Sequence, residues 1–153
     1  MALVLHCPSV DDAGVLDARH TCRGRGTSPP LAWESVPPEA VTLALLLRNL
    51  DAPLEPAVHW LVFNIPAQAD ELFEGAGPDL ILDGGGKHGL NASRRPGYLP
   101  PCPAYGAAER FLFTLLALDR ALKAGAGARL EQIAPSLSAP LARAELACTA
   151  RSD

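Results

Sequence analysis

Lysine is nearly missing from this chain of 153 residues, two against eleven arginines, and acidic residues outnumber basic ones to leave a net charge of -4. Without a basic excess the chain lacks the electrostatic footprint of a nucleic-acid binder, and no nucleic-acid partner is expected. Long apolar runs are absent: none exceeds five residues, against about twenty for a membrane-spanning helix. Met1 to Cys7 has no basic head and no long apolar body, so no signal peptide is expected. Cysteine is sparse. Cys7, Cys22, Cys102 and Cys148 form no C-x-x-C pair, which suits buried, reduced thiols and a cytoplasmic location better than a disulfide framework or a zinc site. Internal repeats are also lacking. A length of 153 residues with 48% hydrophobic and 20% charged composition is that of one globular domain with a core of its own, spanning 1–153.

What the chain does have is short apolar stretches set between glycines and prolines. Ala2 to His6, Leu31 to Trp33, Val41 to Leu47, Val58 to Ile65, Phe111 to Leu118 and Leu141 to Thr149 read as strands. Pro8 to Arg19 reads as a loop or turn leading into a short strand, Ala67 to Leu82 as an acidic surface connection, and Asp119 to Gly127 as a turn with a short helical piece. Ala128 to Ile133 predicts a short helix stopped by Pro135. The middle strands are apolar on both faces, yet no regular helices separate them. That pattern disfavours a doubly wound α/β sheet. It favours a mainly β fold: a two-layer antiparallel sandwich with Greek-key connections and one or two short helices near the C-terminus.

Two places concentrate chemistry. The first runs from Asn49-Leu50-Asp51-Ala52-Pro53 to Val58-His59-Trp60. It puts Asp51 and His59 at strand ends, where a rigid sheet can hold polar groups at a fixed separation. The functional reading is a hydrogen-bonded pair on the floor of a cleft; the plain alternative is a half-buried histidine finishing a strand. The second is Asp83 to Tyr105, over twenty residues without periodicity, rich in glycine and with four prolines. A connection of that length is usually functional or disordered, and its prolines favour an ordered wall. Lys87, His88, Arg94 and Arg95 on it read either as a basic rim or as a solvated loop. Gly84-Gly85-Gly86-Lys87-His88 lacks the spacing and the hydroxyl residue of a nucleotide-binding loop. Trp33 and Trp60 read as core aromatics.

Five ordered segments together resemble the phosphatidylethanolamine-binding protein family, in particular its bacterial Raf-kinase-inhibitor-like members (YbhB/YbcL type). They are Thr21-Cys22 through Ser28-Pro29-Pro30-Leu31-Ala32-Trp33, Asn49 to Pro53, Val58-His59-Trp60 with Asn64-Ile65-Pro66, Gly97-Tyr98 to Pro103, and Glu109-Arg110-Phe111. The resemblance covers nearly the whole chain. It implies the β-sandwich, a homodimer, no metal or cofactor, no turnover, and a small cleft for phosphate or a phosphorylated head group.

By that pattern the ligand-binding residues are Asn49, Asp51, Pro53, His59, Cys102, Pro103, Glu109 and Phe111. His59 would donate to the ligand and Asp51 would fix its orientation. The chain departs from the family at Asn49 and Glu109, where an acid and a histidine are usual, and at Phe111, Ala57 and Ala104. A carboxylate has left one position and appeared at another. Glu109 is therefore expected beside His59, raising its pKa, or else turned to solvent or to Arg110. Cys22 and Cys102 both fall in cleft-forming segments and read as inert buried thiols, with oxidation as the alternative.

Three functions remain open. The chain is a binding protein for a small anionic or zwitterionic ligand (phosphate, phosphoethanolamine-like) or a phosphorylated peptide. It is an inhibitor of a kinase or protease acting through the 83–105 loop. Or it is a small hydrolase using His59, Asp51 and Glu109, which could supply three metal ligands.

Overall fold

The computed structural model describes residues 2–53 and 57–152. Among these residues eight strands form two antiparallel sheets. In chain order they are β1 (Val4–His6), β2 (Leu31–Glu34), β3 (Thr42–Asn49), β4 (Val58–Pro66), β5 (Glu71–Leu72), β6 (Lys87–His88), β7 (Ala108–Leu118) and β8 (Ala142–Arg151). The smaller sheet has the order β1-β2-β5 and the larger β6-β4-β3-β7-β8. β3 sits between its hairpin partner β4 and the late strand β7, which returns after an excursion of some forty residues. This is the expected mainly β, Greek-key sandwich.

The apolar runs follow from burial on both faces of the large sheet. Leu43, Leu45 and Leu47 of β3, with Trp60, Phe111, Phe113 and Leu115, pack between the sheets against Leu3, Leu5, Leu31 and Trp33. Alternate residues, Ala44, Leu61, Phe63, Leu116 and Leu118, face outward, where Leu122, Ala128 and Ile133 cover them. The cover is the segment after β7, with helix α1 (Leu130–Ile133) and a 3-10 turn over Ala134–Leu137. α1 stops just before Pro135, as expected, but no helix forms within Asp119 to Gly127. That stretch is pinned instead by Asn64, whose amide donates to the Leu122 carbonyl (2.9 Å) and accepts from its N–H (2.8 Å).

Two register slips shape β4. Leu43 faces Ile65 and Leu45 faces Val62, which leaves an extra residue at Asn64, in the left-handed region at φ 54°. Leu47 faces Trp60 and Arg48 faces Val58, which leaves His59 as the extra residue of a second bulge. A bulge bends a strand and re-aims a side chain, and here the side chain is the imidazole.

The two short strands β5 and β6 fall inside stretches that read as irregular. A two-residue strand has no periodicity to read, and tertiary pairing alone makes it. His88 departs from the basic-rim reading: it is wholly buried, accepts the Trp60 indole N–H at 3.0 Å, and meets the Asp79 carbonyl through Nδ1 at 2.6 Å. Trp33 and Trp60 are core residues, 3% and 0% exposed.

Candidate functional site

The bulge at His59 meets the proline-rich segment 98–103. Leu99 N–H donates to the His59 carbonyl at 2.7 Å, and the imidazole Nδ1 bonds the Leu99 carbonyl at 2.8 Å. A carbonyl can only accept, so Nδ1 carries the proton and Nε2 of the neutral ring is a lone-pair acceptor. Nε2 has no protein partner among the described residues. Phe111, fully buried, stands edge-on to the ring with centroids 4.9 Å apart at 86°. It is a wall of the core that orients His59.

Burial is the largest influence on His59 and pushes its pKa below the usual 6.5; the Leu99 carbonyl and the Glu109 carboxylate pull the other way and lose. Glu109 thus lies within electrostatic reach and raises the His59 pKa, as expected, but desolvation of the cation outweighs that one nearby charge and leaves the net shift downward.

The Asp51–His59 pair does not form. Asp51 takes Arg110 instead: the guanidinium donates from Nη2 to Oδ1 at 2.6 Å and from Nε at 3.1 Å, and the Arg110 backbone N–H donates to Oδ2 at 2.7 Å. These contacts hold the carboxyl below its ordinary range. The physical reason is geometric. Arg110 lies across the ladder near the start of β7, and a guanidinium fork fits a carboxylate on both oxygens. The triad His59, Asp51, Glu109 proposed for a metal is therefore not assembled. Asn49, 7% exposed, accepts the Asp51 N–H at 2.8 Å and shapes the turn. Pro53 is exposed on that turn, next to residues outside those described.

The proline-rich wall is fixed from its far side. Cys22 and Cys102 form a disulfide, and both residues are exposed. This overturns the expectation of inert buried thiols for this pair. It holds only for Cys7 and Cys148, whose thiols burial pushes upward, Cys148 to about 12. Spacing alone could not reveal the bond, since the two cysteines lie 80 residues apart. The Cys22 N–H also donates to the Pro101 carbonyl (3.0 Å), the Tyr98 hydroxyl to the His20 carbonyl (2.7 Å), and Arg23 Nη2 to the carbonyl of buried Pro103 (3.2 Å). Gly24 is required in the tethered loop, because a Cβ there would lie 2.5 Å from the Arg19 backbone. The sequence reading missed Leu99 and Arg110 as positioning groups. Leu99 acts through its backbone, which no side-chain pattern reports.

A two-sheet β-sandwich with a half-buried imidazole at a bulge, backed by a stapled proline-rich wall, defines a small-site binding fold. The comparisons specify it further: a model of the family described as phosphatidylethanolamine-binding protein matches residues 7–151, and the chain belongs to that family. A protein of Methanothermobacter thermautotrophicus named only as UPF0098 protein is 41% identical over 123 residues, 80% of this chain and 81% of its own. A namesake in Chlamydia muridarum is 34% identical over 88% of this chain and 89% of its own. Among solved structures, a phosphatidylethanolamine-binding protein homolog from Chlamydia trachomatis superimposes with TM-score 0.86 at 32% identity, covering 99% of each chain. YbcL of Escherichia coli superimposes with TM-score 0.87 at 25% identity over 100% of each.

Proposed function

We propose that the chain is a small-ligand-binding protein whose site at His59 takes a phosphorylated head group, with a zwitterion such as phosphoethanolamine preferred over free phosphate. The observation behind this is the unpartnered Nε2 of a half-buried imidazole whose other nitrogen is fixed by Leu99. Neutral His59 accepts a hydrogen from a ligand P–OH; protonated, it donates to a phosphate oxygen. Glu109 nearby repels a bare dianion and attracts an ammonium group. Of the eight residues expected to bind ligand, His59 and Glu109 are proposed to touch it. Leu99, Phe111 and the disulfide-held wall with Cys102 and Pro103 position them, and Asn49, Asp51 and Pro53 build the adjoining turn.

The test is an NMR titration of the His59 ring with phosphate and with phosphoethanolamine. The expected result is saturable shifts, tighter for phosphoethanolamine, with phosphate binding strengthening as pH falls toward the His59 pKa. A preference that Glu109→Gln reverses supports the assignment; ring signals indifferent to both ligands refute it.

A second reading, inhibition of a kinase or protease through the 83–105 loop, is favoured by Arg94 and Arg95, both exposed and in none of the ion pairs among the described residues. Homodimer formation stands as a proposal from the family. Among the described residues no helix is long and apolar enough to cross a membrane. A cytoplasmic location is the harder proposal to hold, because a disulfide persists best in an oxidising compartment.

A further inference from the structure

A second hollow, of about 510 Å³, opens where the loop between β1 and β2 meets the end of β8; Ser9, Asp11, Asp17, Arg19, Arg23 and Arg151 line it. Its size is in the range that admits small molecules. It shares no residue with the His59 site. The segment 99–103 lies between the two, with the Leu99 carbonyl bonded to His59 and the Pro103 carbonyl to Arg23.

Two of its arginines are oriented mainly by neutral acceptors. Arg19 donates from Nη2 to Ser9 Oγ at 3.1 Å and from Nε to His20 Nε2 at 3.2 Å. Ser9 Oγ lies 2.8 Å from His20 Nε2, and His20 Nδ1 lies 2.9 Å from the Thr27 carbonyl. The directions are settled by that carbonyl, which only accepts, and by the Arg19 guanidinium, which only donates. Nδ1 donates to it, Nε2 is an acceptor, and the Ser9 hydroxyl donates to Nε2, which leaves its lone pair for Arg19. Arg23 donates from Nε to Ser152 Oγ at 2.9 Å and from Nη2 to the Pro103 carbonyl at 3.2 Å. The anchors are interior groups: Ser9 is 8%, His20 0% and Ser152 1% exposed.

A neutral acceptor fixes a guanidinium without cancelling its charge. Asp11 and Asp17 line the same hollow and keep their charges, though each has one oxygen engaged by backbone N–H groups. Asp11 Oδ1 accepts the N–H groups of Ala13 and Val15, and Asp17 Oδ1 accepts that of Arg19. Glu74 stands 3.4 Å from Arg19 Nε and offsets that cation, whereas Arg23 is in none of the ion pairs among the described residues. Guanidinium forks held in place are the natural partners of tetrahedral oxyanions.

We propose that this hollow is a second anion site, taking a phosphate group, free or as a small phosphate ester, with Arg23 as its principal contact and Arg19 and Ser9 beside it. The inference is independent of the His59 reading.

The test is a titration of the full chain with inorganic phosphate at neutral pH, followed through backbone amide shifts and calorimetry. Wild type, Arg23→Gln, Arg19→Gln and His59→Gln are compared, each first shown folded by its thermal transition. The expected result is saturable shifts around Ser9, Arg19 and Arg23 in wild type and in His59→Gln alike. Affinity should fall about tenfold or more in Arg23→Gln and less in Arg19→Gln. Should Arg23→Gln fail to fold, Arg23→Lys, which keeps the charge but not the fork, is expected to bind at an intermediate strength. Undiminished binding in the arginine variants overturns the proposal. So does a response confined to the neighbours of His59, which would leave the first site standing, or no saturable shift up to about 20 mM phosphate.

Discussion

His59 shows how one residue's chemistry is set by competing influences. Burial lowers its pKa, while the Leu99 carbonyl and Glu109 raise it without prevailing. Replacing Glu109 by glutamine removes a term that favours the cation, so the His59 pKa is expected to drop further in Glu109→Gln; an NMR titration of the ring checks this, and an unchanged midpoint would place Glu109 out of reach. The same shift makes stability depend on pH. The unfolded chain protonates His59 near 6.5 while the folded chain resists until lower pH, so protons favour unfolding. His88 is also shifted down by burial and acts in the same direction. The contribution of both is complete above about 6.5 and is lost as pH falls from there toward their folded values. Denaturant midpoints measured from pH 7.5 down to pH 5 are expected to decline, and in His88→Gln the decline should be shallower.

Strand β4 owes its shape to its bulges. Asn64 serves the first of them twice: it tolerates the left-handed backbone at φ 54°, and its side chain closes two hydrogen bonds with Leu122. Asn64→Gly keeps the backbone freedom and loses the bonds, for an expected cost of about 1–2 kcal/mol. Asn64→Ala loses both and should cost about 1 kcal/mol more. Urea unfolding of the two variants separates the contributions; equal losses would mean that the backbone term is negligible. The second bulge does for the proposed site what the first does for folding, since a regular ladder at Leu47 and Arg48 would leave no extra residue to meet Leu99 and Phe111.

For the molecule as a whole, the Cys22–Cys102 bond ties the loop before β2 to the wall before β7 across 80 residues. Closing so long a span removes chain entropy from the unfolded state worth roughly 4 kcal/mol. Reduction, or the double variant Cys22→Ser with Cys102→Ser, is expected to lower stability by up to about that amount. The native state should survive, because Tyr98, Arg23 and the Cys22 N–H hold the same two segments. Equilibrium unfolding with and without a reductant measures the loss, and matching curves would refute it. Thiol titration should find no fast-reacting cysteine in the native oxidised protein and two after unfolding, since Cys7 and Cys148 are buried and free.

Much of this architecture was legible in the linear chain. Apolar runs such as Leu43 to Leu47 and Phe111 to Leu118 announce strands buried on both faces, because they are apolar without a helical period and too short for a buried helix. Asn49 to Pro53, His59-Trp60 and the prolines of 96–103 mark the proposed site region and the family, and Pro135 marks where the helix stops. Partnerships were not legible. Asp51 is bound to Arg110 rather than His59, His88 is sealed under Trp60, and Cys22 is joined to Cys102, because each pairing depends on segments 28 to 80 residues apart being brought together by the sheets. Composition and local pattern decide which residues must leave water and where the backbone can turn. Which polar group faces which other one, and therefore the tautomer of His59 and the charge left on Arg23, is decided only when the two sheets close, since hydrogen bonds act over about 3 Å and carry no trace along the chain.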